Sequence, residues 1–177
     1  MPSLASLALL VVVVVVLLSG GDDEDGGGPA AGGDPGAAAE SESEPGAPVP
    51  VVDIVDGDTI EVRIGGEIED VRYIGIDTPE SVAPGQPVEC FGVEASEENE
   101  RLVAGRRVRL DFDAERRDRY GRLLAYVYVG ERFINAELVR GGFATTLEIA
   151  PNDSFAGLFD RLQQEAGNAG NGLWSAC

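Results

Sequence analysis

Three segments typical of β-strands follow one another between residues 49 and 76, and they constrain the fold more than any other feature. Residues 59–64 alternate apolar and polar side chains, as a strand buried on one face does. Asp56-Gly57-Asp58 before them and Gly65-Gly66 after them are typical turn sequences. A slip in the alternation near Asp70 predicts an irregularity in the third strand. The region is therefore predicted to be an antiparallel meander with strands over residues 49–55, 59–64 and 67–76.

The rest of the domain is predicted to add two strands and about three α-helices. Residues 107–112 and 123–129 alternate or concentrate apolar side chains, as strands do. A helix is predicted over residues 93–104, ending at Gly105. The candidate N-caps of two later helices are Asn135, Asn152, Asp153 and Ser154. This order predicts a mainly β, α+β fold: a five-stranded OB-fold barrel with a helix between its third and fourth strands.

The composition excludes several kinds of catalytic site. The chain has no histidine and no lysine, so all 13 basic residues are arginine. A Ser/His/Asp triad, a histidine-rich zinc site, a histidine general base and a lysine Schiff base are therefore impossible. The net charge of -19 disfavours a nucleic-acid partner, but arginines cluster between residues 106 and 122 and are compatible with a local basic groove.

The N-terminal part of the chain is predicted to direct export. Residues 4–18 are almost entirely apolar, which is shorter than the roughly 20 residues of a membrane span and typical of a signal peptide. We therefore expect residues 1–21 to be a signal peptide or N-terminal hydrophobic segment, and residues 22–48 to be a disordered acidic Gly/Pro/Ala linker. Residues 49–177 form the predicted domain of a secreted or cell-surface protein. An uncleaved leader that anchors the chain in the membrane is the alternative.

The two cysteines are consistent with export. Cys90 lies in the loop before the first predicted helix, and Cys177 is the last residue. Two cysteines in an exported chain predict one disulfide, which would tie the C-terminal tail to this loop. Two free thiols are the alternative.

Charged side chains lie where predicted strands meet loops. Asp58 opens the second strand and Asp77 ends the third, and the curvature of a barrel can bring such positions together. Two carboxylates, a carbonyl and waters suit Ca²⁺. Glu80 is close enough in sequence to contact a metal-bound water, and Arg72 and Arg122 could bind a phosphate and neutralise its developing charge. These residues predict a metal-dependent phosphodiesterase site.

Several motifs together resemble the staphylococcal nuclease (thermonuclease) family. They are Val55–Thr59, Arg72–Glu80, Asp118–Arg122 with Ala125-Tyr126, Asn135–Gly141 and Pro151-Asn152. The resemblance covers roughly residues 51–175. It implies an endonuclease that depends on Ca²⁺, hydrolyses DNA and RNA, and leaves products with 3′-phosphate ends. We expect a monomer that prefers single-stranded or unpaired nucleic acid.

The same resemblance implies a role for individual residues. The expected Ca²⁺ ligands are Asp58, Asp77 and the backbone carbonyl of Thr78. The expected catalytic residues are Arg72, Arg122 and Glu80, with Glu80 as the general base. The expected contacts to the terminal phosphate of the nucleotide are Arg119 and Tyr120.

One stretch departs from the family, and two other functions remain open. The family has tyrosines just before its Pro-Asn pair, whereas this chain has Leu147-Glu148-Ile149-Ala150, so base stacking is expected to be weaker or the substrate preference changed. One alternative is a non-catalytic OB module that binds nucleic acid or protein, although such a module needs no set of charged site residues. The other is a phosphodiesterase acting on small nucleotides, which the acidic surface favours.

Overall fold

A computed structural model describes residues 46–81 and 87–177. The predictions for residues 1–21 and for all but the end of the linker at residues 22–48 lie outside the described residues. The strands are β1 (Val49–Asp56), β2 (Thr59–Ile64), β3 (Glu67–Tyr73), β4 (Ile76–Asp77), β5 (Arg107–Asp111), β6 (Leu123–Val129), β7 (Arg132–Phe133) and β8 (Thr145–Thr146). The helices are α1 (Gly92–Val103), α2 (Ile134–Gly141), α3 (Ala156–Ala169) and α4 (Leu173–Ala176). Among the described residues, no helix combines the length and the apolar character needed to cross a bilayer.

Five of the strands close into a barrel. β1, β2 and β3 form the antiparallel meander, β5 joins β1, and β6 joins β5. A parallel pairing of β3 with β6 closes the ring, and α1 lies between the third and fourth barrel strands in sequence. The predicted α+β class and OB-type barrel are confirmed. The inward side chains of β2, β3 and β6 form the centre of the core, together with apolar residues of the first three helices.

The third strand differs from the prediction in two ways. It ends at Tyr73 rather than Ile76, because the chain turns at Gly75 with φ +80° and continues as the separate strand β4. A side chain at Gly75 would lie 2.6 Å from the ring of Phe159, so only glycine allows this packing. The predicted irregularity near Asp70 is wrong, since β2 and β3 pair without interruption. The slip in the pattern comes from Ile68, an apolar residue that is exposed to solvent.

The predicted helix caps are also wrong. Asn135 is a buried residue inside α2, whose N-cap is Phe133. Its side-chain oxygen accepts a hydrogen bond from the Val127 N–H at 2.9 Å, and its nitrogen donates to the Ile74 carbonyl at 2.9 Å. The third helix begins at Ala156 without a side-chain cap. Asn135 therefore joins distant segments of the chain instead of capping a helix.

The C-terminal tail is held at both of its ends. Cys177 forms a disulfide with Cys90, with 6.0 Å between their Cα atoms, as predicted. The short helix α4, which was not predicted, is hydrogen-bonded at its start by the Leu173 N–H to the Gly142 carbonyl at 2.9 Å. A side chain at Gly142 would collide with the backbone of Asn171, so this glycine allows the tail to approach α2 closely.

Candidate active site

One arginine links the two carboxylates that were predicted as metal ligands. Arg72 lies on β3 opposite Thr59, the residue after Asp58. Its Nη1 atom forms an ion pair with Asp58, and its Nη2 atom donates to Asp77 Oδ1 at 2.6 Å and to the Ile76 carbonyl at 3.3 Å. The bend at Gly75 directs Asp77 back toward this guanidinium. The barrel therefore brings together two acidic residues that a whole hairpin separates in sequence.

Asp58 is the most enclosed charged group of the site, with 1% of its surface exposed. Besides Arg72, its carboxylate accepts hydrogen bonds from the Thr59 hydroxyl at 3.1 Å and the Thr78 N–H at 2.9 Å. The turn before β2 packs on Thr78 so closely that a side chain at Gly57 would lie 2.7 Å from the Thr78 hydroxyl. Asp58 and the Thr78 backbone are thus adjacent, as the prediction requires.

The charge balance of this group is suited to a hard cation. Asp58 and Asp77 share one guanidinium, so a negative charge remains uncompensated. Burial raises the pKa of the neighbouring Asp56 above its ordinary value, although Arg72 and Thr59 oppose the shift. In residues 46–81 and 87–177 no group of three or more His, Cys, Asp or Glu side chains is arranged to hold a metal. The oxygen atoms present that Ca²⁺ could accept as ligands are those of the Asp58 and Asp77 carboxylates, which Arg72 bridges.

Glu80 lies in irregular chain just beyond β4 and is partly exposed. Glu89 contacts its backbone on both sides. The Glu80 N–H donates to Glu89 Oε2 at 3.0 Å, and the Glu89 N–H donates to the Glu80 carbonyl at 2.9 Å. The backbone of the predicted general base is therefore hydrogen-bonded to the segment that leads into α1.

A cleft of about 500 Å³ contains the two predicted catalytic arginines. Arg72 reaches it from β3, and Arg122 from the turn that precedes β6. Asp118 shapes this turn. Its Oδ1 atom accepts from the N–H groups of Tyr120 and Arg122 at 2.9 and 3.0 Å, and its Oδ2 atom from Arg122 Nε at 2.8 Å. The pairing of Arg122 with Asp118 and its position in the cleft are compatible, since the guanidinium remains one-third exposed.

The predicted substrate contacts line the same cleft. Tyr120 is 69% exposed, so its ring is open to solvent rather than packed in the core. Arg119 donates to the Tyr120 hydroxyl at 2.6 Å, and its guanidinium lies 4.7 Å from the ring centre. The cleft thus combines three arginines and an exposed aromatic ring, a set of groups suited to phosphates and bases.

Comparison with known proteins agrees with this geometry. The sequence profile of the family described as staphylococcal nuclease homologue matches residues 70–176. The chain belongs to the staphylococcal nuclease family. It is 40% identical over 121 residues to a thermonuclease of Staphylococcus intermedius, a match covering 68% of this chain and 72% of the relative. It is 38% identical over 125 residues to a thermonuclease of Staphylococcus hyicus (71% and 74% covered). The SPbeta prophage-derived endonuclease YokF of Bacillus subtilis (strain 168) is 42% identical over 123 residues, with 68% of this chain and 42% of the relative covered.

Aliphatic residues line the cleft where this family member departs from the family pattern. Leu147 and Ile149 are exposed in the cleft that also contains Tyr120. Asn152, just beyond them, is buried and forms two 2.8 Å hydrogen bonds with the backbone N–H and carbonyl of Glu115. It joins the aliphatic segment to the loop that carries Arg119.

One buried residue that supports the site was not predicted from the sequence. Asn99 of α1 is fully buried. Its side-chain nitrogen donates to the Asp56 carbonyl at 2.9 Å, and its oxygen accepts from the Tyr73 hydroxyl at 2.9 Å. A signal was present, because Asn99 falls on the buried helix stripe between Ala95 and Leu102, where a polar residue must find hydrogen-bond partners.

Proposed function

We propose that this member of the staphylococcal nuclease family is a Ca²⁺-dependent endonuclease that hydrolyses DNA and RNA and leaves 3′-phosphate ends. The observation that carries the proposal is that Arg72 from β3 and Arg122 from the turn before β6 line one cleft, while Arg72 also contacts both Asp58 and Asp77. The printed names of the relatives, thermonuclease and endonuclease, support nuclease activity.

The residues of the candidate site have distinct proposed roles in phosphodiester hydrolysis. Arg72 and Arg122 bind the oxygens of the scissile phosphate and stabilise the charge that builds up on them during attack. Glu80 accepts the proton of the attacking water. Ca²⁺ held by Asp58, Asp77 and the Thr78 carbonyl would supply positive charge beside the phosphate.

The remaining cleft residues would hold the nucleotide. Arg119 and Tyr120 are placed to contact a terminal phosphate, and Leu147 and Ile149 offer apolar surface to a base. Bases in a duplex are stacked and paired, so a cleft that contacts base faces favours single-stranded or unpaired DNA and RNA. Aliphatic residues give less stacking than tyrosine, which should make binding weaker than in relatives with aromatic residues there.

The protein is further proposed to act as an exported monomer. The apolar run at residues 4–18 supports secretion or attachment to the cell surface, and the disulfide fits an oxidising compartment. N-terminal sequencing of the mature protein distinguishes a cleaved signal from a membrane anchor. Sedimentation analysis of the mature protein would contradict the monomer if a dimer predominated.

The central experiment incubates the purified protein with single-stranded DNA or RNA at low salt, with Ca²⁺ or with a chelator. We expect internal cleavage that requires Ca²⁺ and products that DNA polymerase extends only after phosphatase treatment, as 3′-phosphate ends require. Absence of cleavage at low salt with Ca²⁺ would refute the nuclease proposal.

The same assay distinguishes the alternatives. Binding without cleavage would indicate a non-catalytic OB module. Cleavage of dinucleotides but not of polymers would indicate a phosphodiesterase on small nucleotides, which the net charge of -19 favours because it opposes binding of a long polyanion.

A further inference from the structure

Glu80 has no place in a helix or strand, because β4 ends at Asp77 and the chain beyond it is irregular. Two hydrogen bonds to Glu89 hold the Glu80 backbone instead. The Glu80 N–H donates to the Glu89 carboxylate, and the Glu89 N–H donates to the Glu80 carbonyl. The contact is tight, since a side chain at Gly92 would lie 2.5 Å from the Glu80 carbonyl oxygen. Glu89 in turn accepts from the Gly92 N–H at 3.0 Å, which joins it to the start of α1.

The disulfide lies next to this contact. Cys90 follows Glu89 directly, and its partner Cys177 ends the tail that docks on α2. Phe91, the next residue, has a left-handed backbone with φ 70°, and its ring stacks on Phe143 with 5.5 Å between centres. The residues after Glu89 are thus anchored by a covalent bond, the disulfide, and by an apolar contact, the stacked rings of Phe91 and Phe143.

We propose that Glu89 is a positioning residue for Glu80, and that the Cys90–Cys177 disulfide keeps Glu89 in register with it. The inference rests on the proposed role of Glu80 as general base. Glu89 acts through the Glu80 backbone and need not touch the substrate. Loss of the two hydrogen bonds to Glu89 would let the Glu80 backbone sample more positions, and displacement of a catalytic group by about 1 Å can lower the rate by up to roughly a hundredfold.

The first test compares Glu89→Ala with Glu89→Gln. Glutamine keeps an oxygen that can accept from the Glu80 N–H, whereas alanine removes it. We expect Glu89→Ala to lower kcat by about tenfold to a hundredfold with KM changed by less than about twofold, and Glu89→Gln to restore most of kcat. The matched control is Glu97→Ala, which removes an exposed acid from α1, the helix that follows Glu89, and should leave kcat unchanged.

Amide exchange supplies a readout that does not depend on activity. We expect the Glu80 amide hydrogen to exchange faster in Glu89→Ala than in the wild type and in Glu89→Gln. Faster exchange with unchanged kcat would mean that Glu89 holds Glu80 but that Glu80 is not the base, and the role of Glu89 in catalysis would be overturned. Unchanged exchange would overturn the positioning itself, even if the wild type proved inactive and the proposed function failed.

The second test removes the disulfide with the double variant Cys90→Ser/Cys177→Ser, assayed well below its unfolding temperature. We expect kcat to fall by about tenfold, KM to stay within about twofold, and the Glu80 amide to exchange faster. Circular dichroism confirms that the variant is folded under the assay conditions. Wild-type kcat and wild-type exchange in the folded variant would overturn the role assigned to the disulfide.

Discussion

Two parts of the candidate site are built in different ways. The cation side is defined by Asp58, Arg72, Asp77 and Thr78. It comes from the turn between β1 and β2, from β3, and from the short strand β4 with the residue after it. Asp58 is buried and Arg72 is 17% exposed, and both bond to several groups. The nucleotide side, defined by Arg119, Tyr120, Arg122, Leu147 and Ile149, comes mainly from loops and exposes much of its surface. The cation side is heavily bonded around a buried carboxylate, with Asp77 at its exposed edge, whereas the nucleotide side is open to solvent.

This difference indicates which residues can be substituted without loss of the folded structure. A substitution on the cation side breaks ion pairs and hydrogen bonds around a buried carboxylate, so it affects both chemistry and folding. A substitution of Leu147 or Ile149 changes an exposed surface and leaves the barrel intact. Leu147 and Ile149, in the stretch predicted to differ from the family pattern, lie on the nucleotide side.

Replacement of Arg72 should have the largest effect. We expect Arg72→Ala to lower kcat by about a thousandfold, because a bidentate cation that stabilises transition-state charge is lost. This variant also leaves the buried Asp58 carboxylate without its cation. Arg72→Lys is therefore the sharper variant, since it keeps the charge and removes the planar fork. It should remain folded by circular dichroism and still lose about a hundredfold in kcat.

The control for Arg72 is Arg63→Ala, which removes an exposed arginine of β2 and should retain full activity. Activity of Arg72→Lys within about threefold of the wild type would contradict a role for the fork in phosphate binding. The comparison between the two sides would then lose its strongest support.

Replacement of Arg122 should have the next largest effect and should not disturb folding. We expect Arg122→Ala to lower kcat by about a hundredfold or more. Asp118 keeps its hydrogen bonds to the backbone N–H groups of residues 120 and 122, so the turn survives. Arg132→Ala, which removes an exposed arginine paired with Glu137, is the matched control in a steady-state assay. Loss of stability without loss of kcat would reassign Arg122 to a structural pair.

The barrel could be predicted from sequence because its signals are local. Gly65-Gly66 and the alternation over residues 59–64 specify a hairpin whatever the rest of the chain does. The roles of Asn135 and Asn152 could not be predicted in this way. Their partners lie 61 and 37 residues away, and the same amides that suit a helix cap also suit a buried link between segments.

The sequence selected candidate site residues, but it could not predict how they bond to one another. Charged residues at strand ends, in the order of a known family, were sufficient to select Asp58, Arg72 and Asp77. That Arg72 would contact both acids depends on the pairing of β2 with β3 and on the bend at Gly75. The contact between Glu80 and Glu89 depends on how a loop closes, and no periodic pattern describes a loop.

Aromatic residues on the nucleotide side should change binding and leave cleavage alone. We expect Leu147→Tyr or Ile149→Tyr to lower KM for single-stranded DNA by about tenfold, because stacking of a base on an aromatic ring contributes about 1–3 kcal/mol. The value of kcat should change by less than about twofold. Ile149→Val is the aliphatic control and should match the wild type. A change in kcat without a change in KM would break the proposed division between the two sides.

Protonation of Asp118 at low pH should have the smallest effect, a small loss of folding stability. Burial opposes ionisation of Asp118, but hydrogen bonds from Arg122 and the Tyr120 backbone outweigh it and lower its pKa. Because the folded pKa lies below the ordinary value of 3.8, the stabilisation is full above that value and is lost as the pH falls below it. The pair is partly exposed, so it contributes at most about 1 kcal/mol. Denaturant unfolding at pH 7 and pH 3 should show Asp118→Asn less stable than the wild type at pH 7, with a smaller deficit at pH 3. An equal deficit at both values would mean that Asp118 orders the turn through its shape and not its charge.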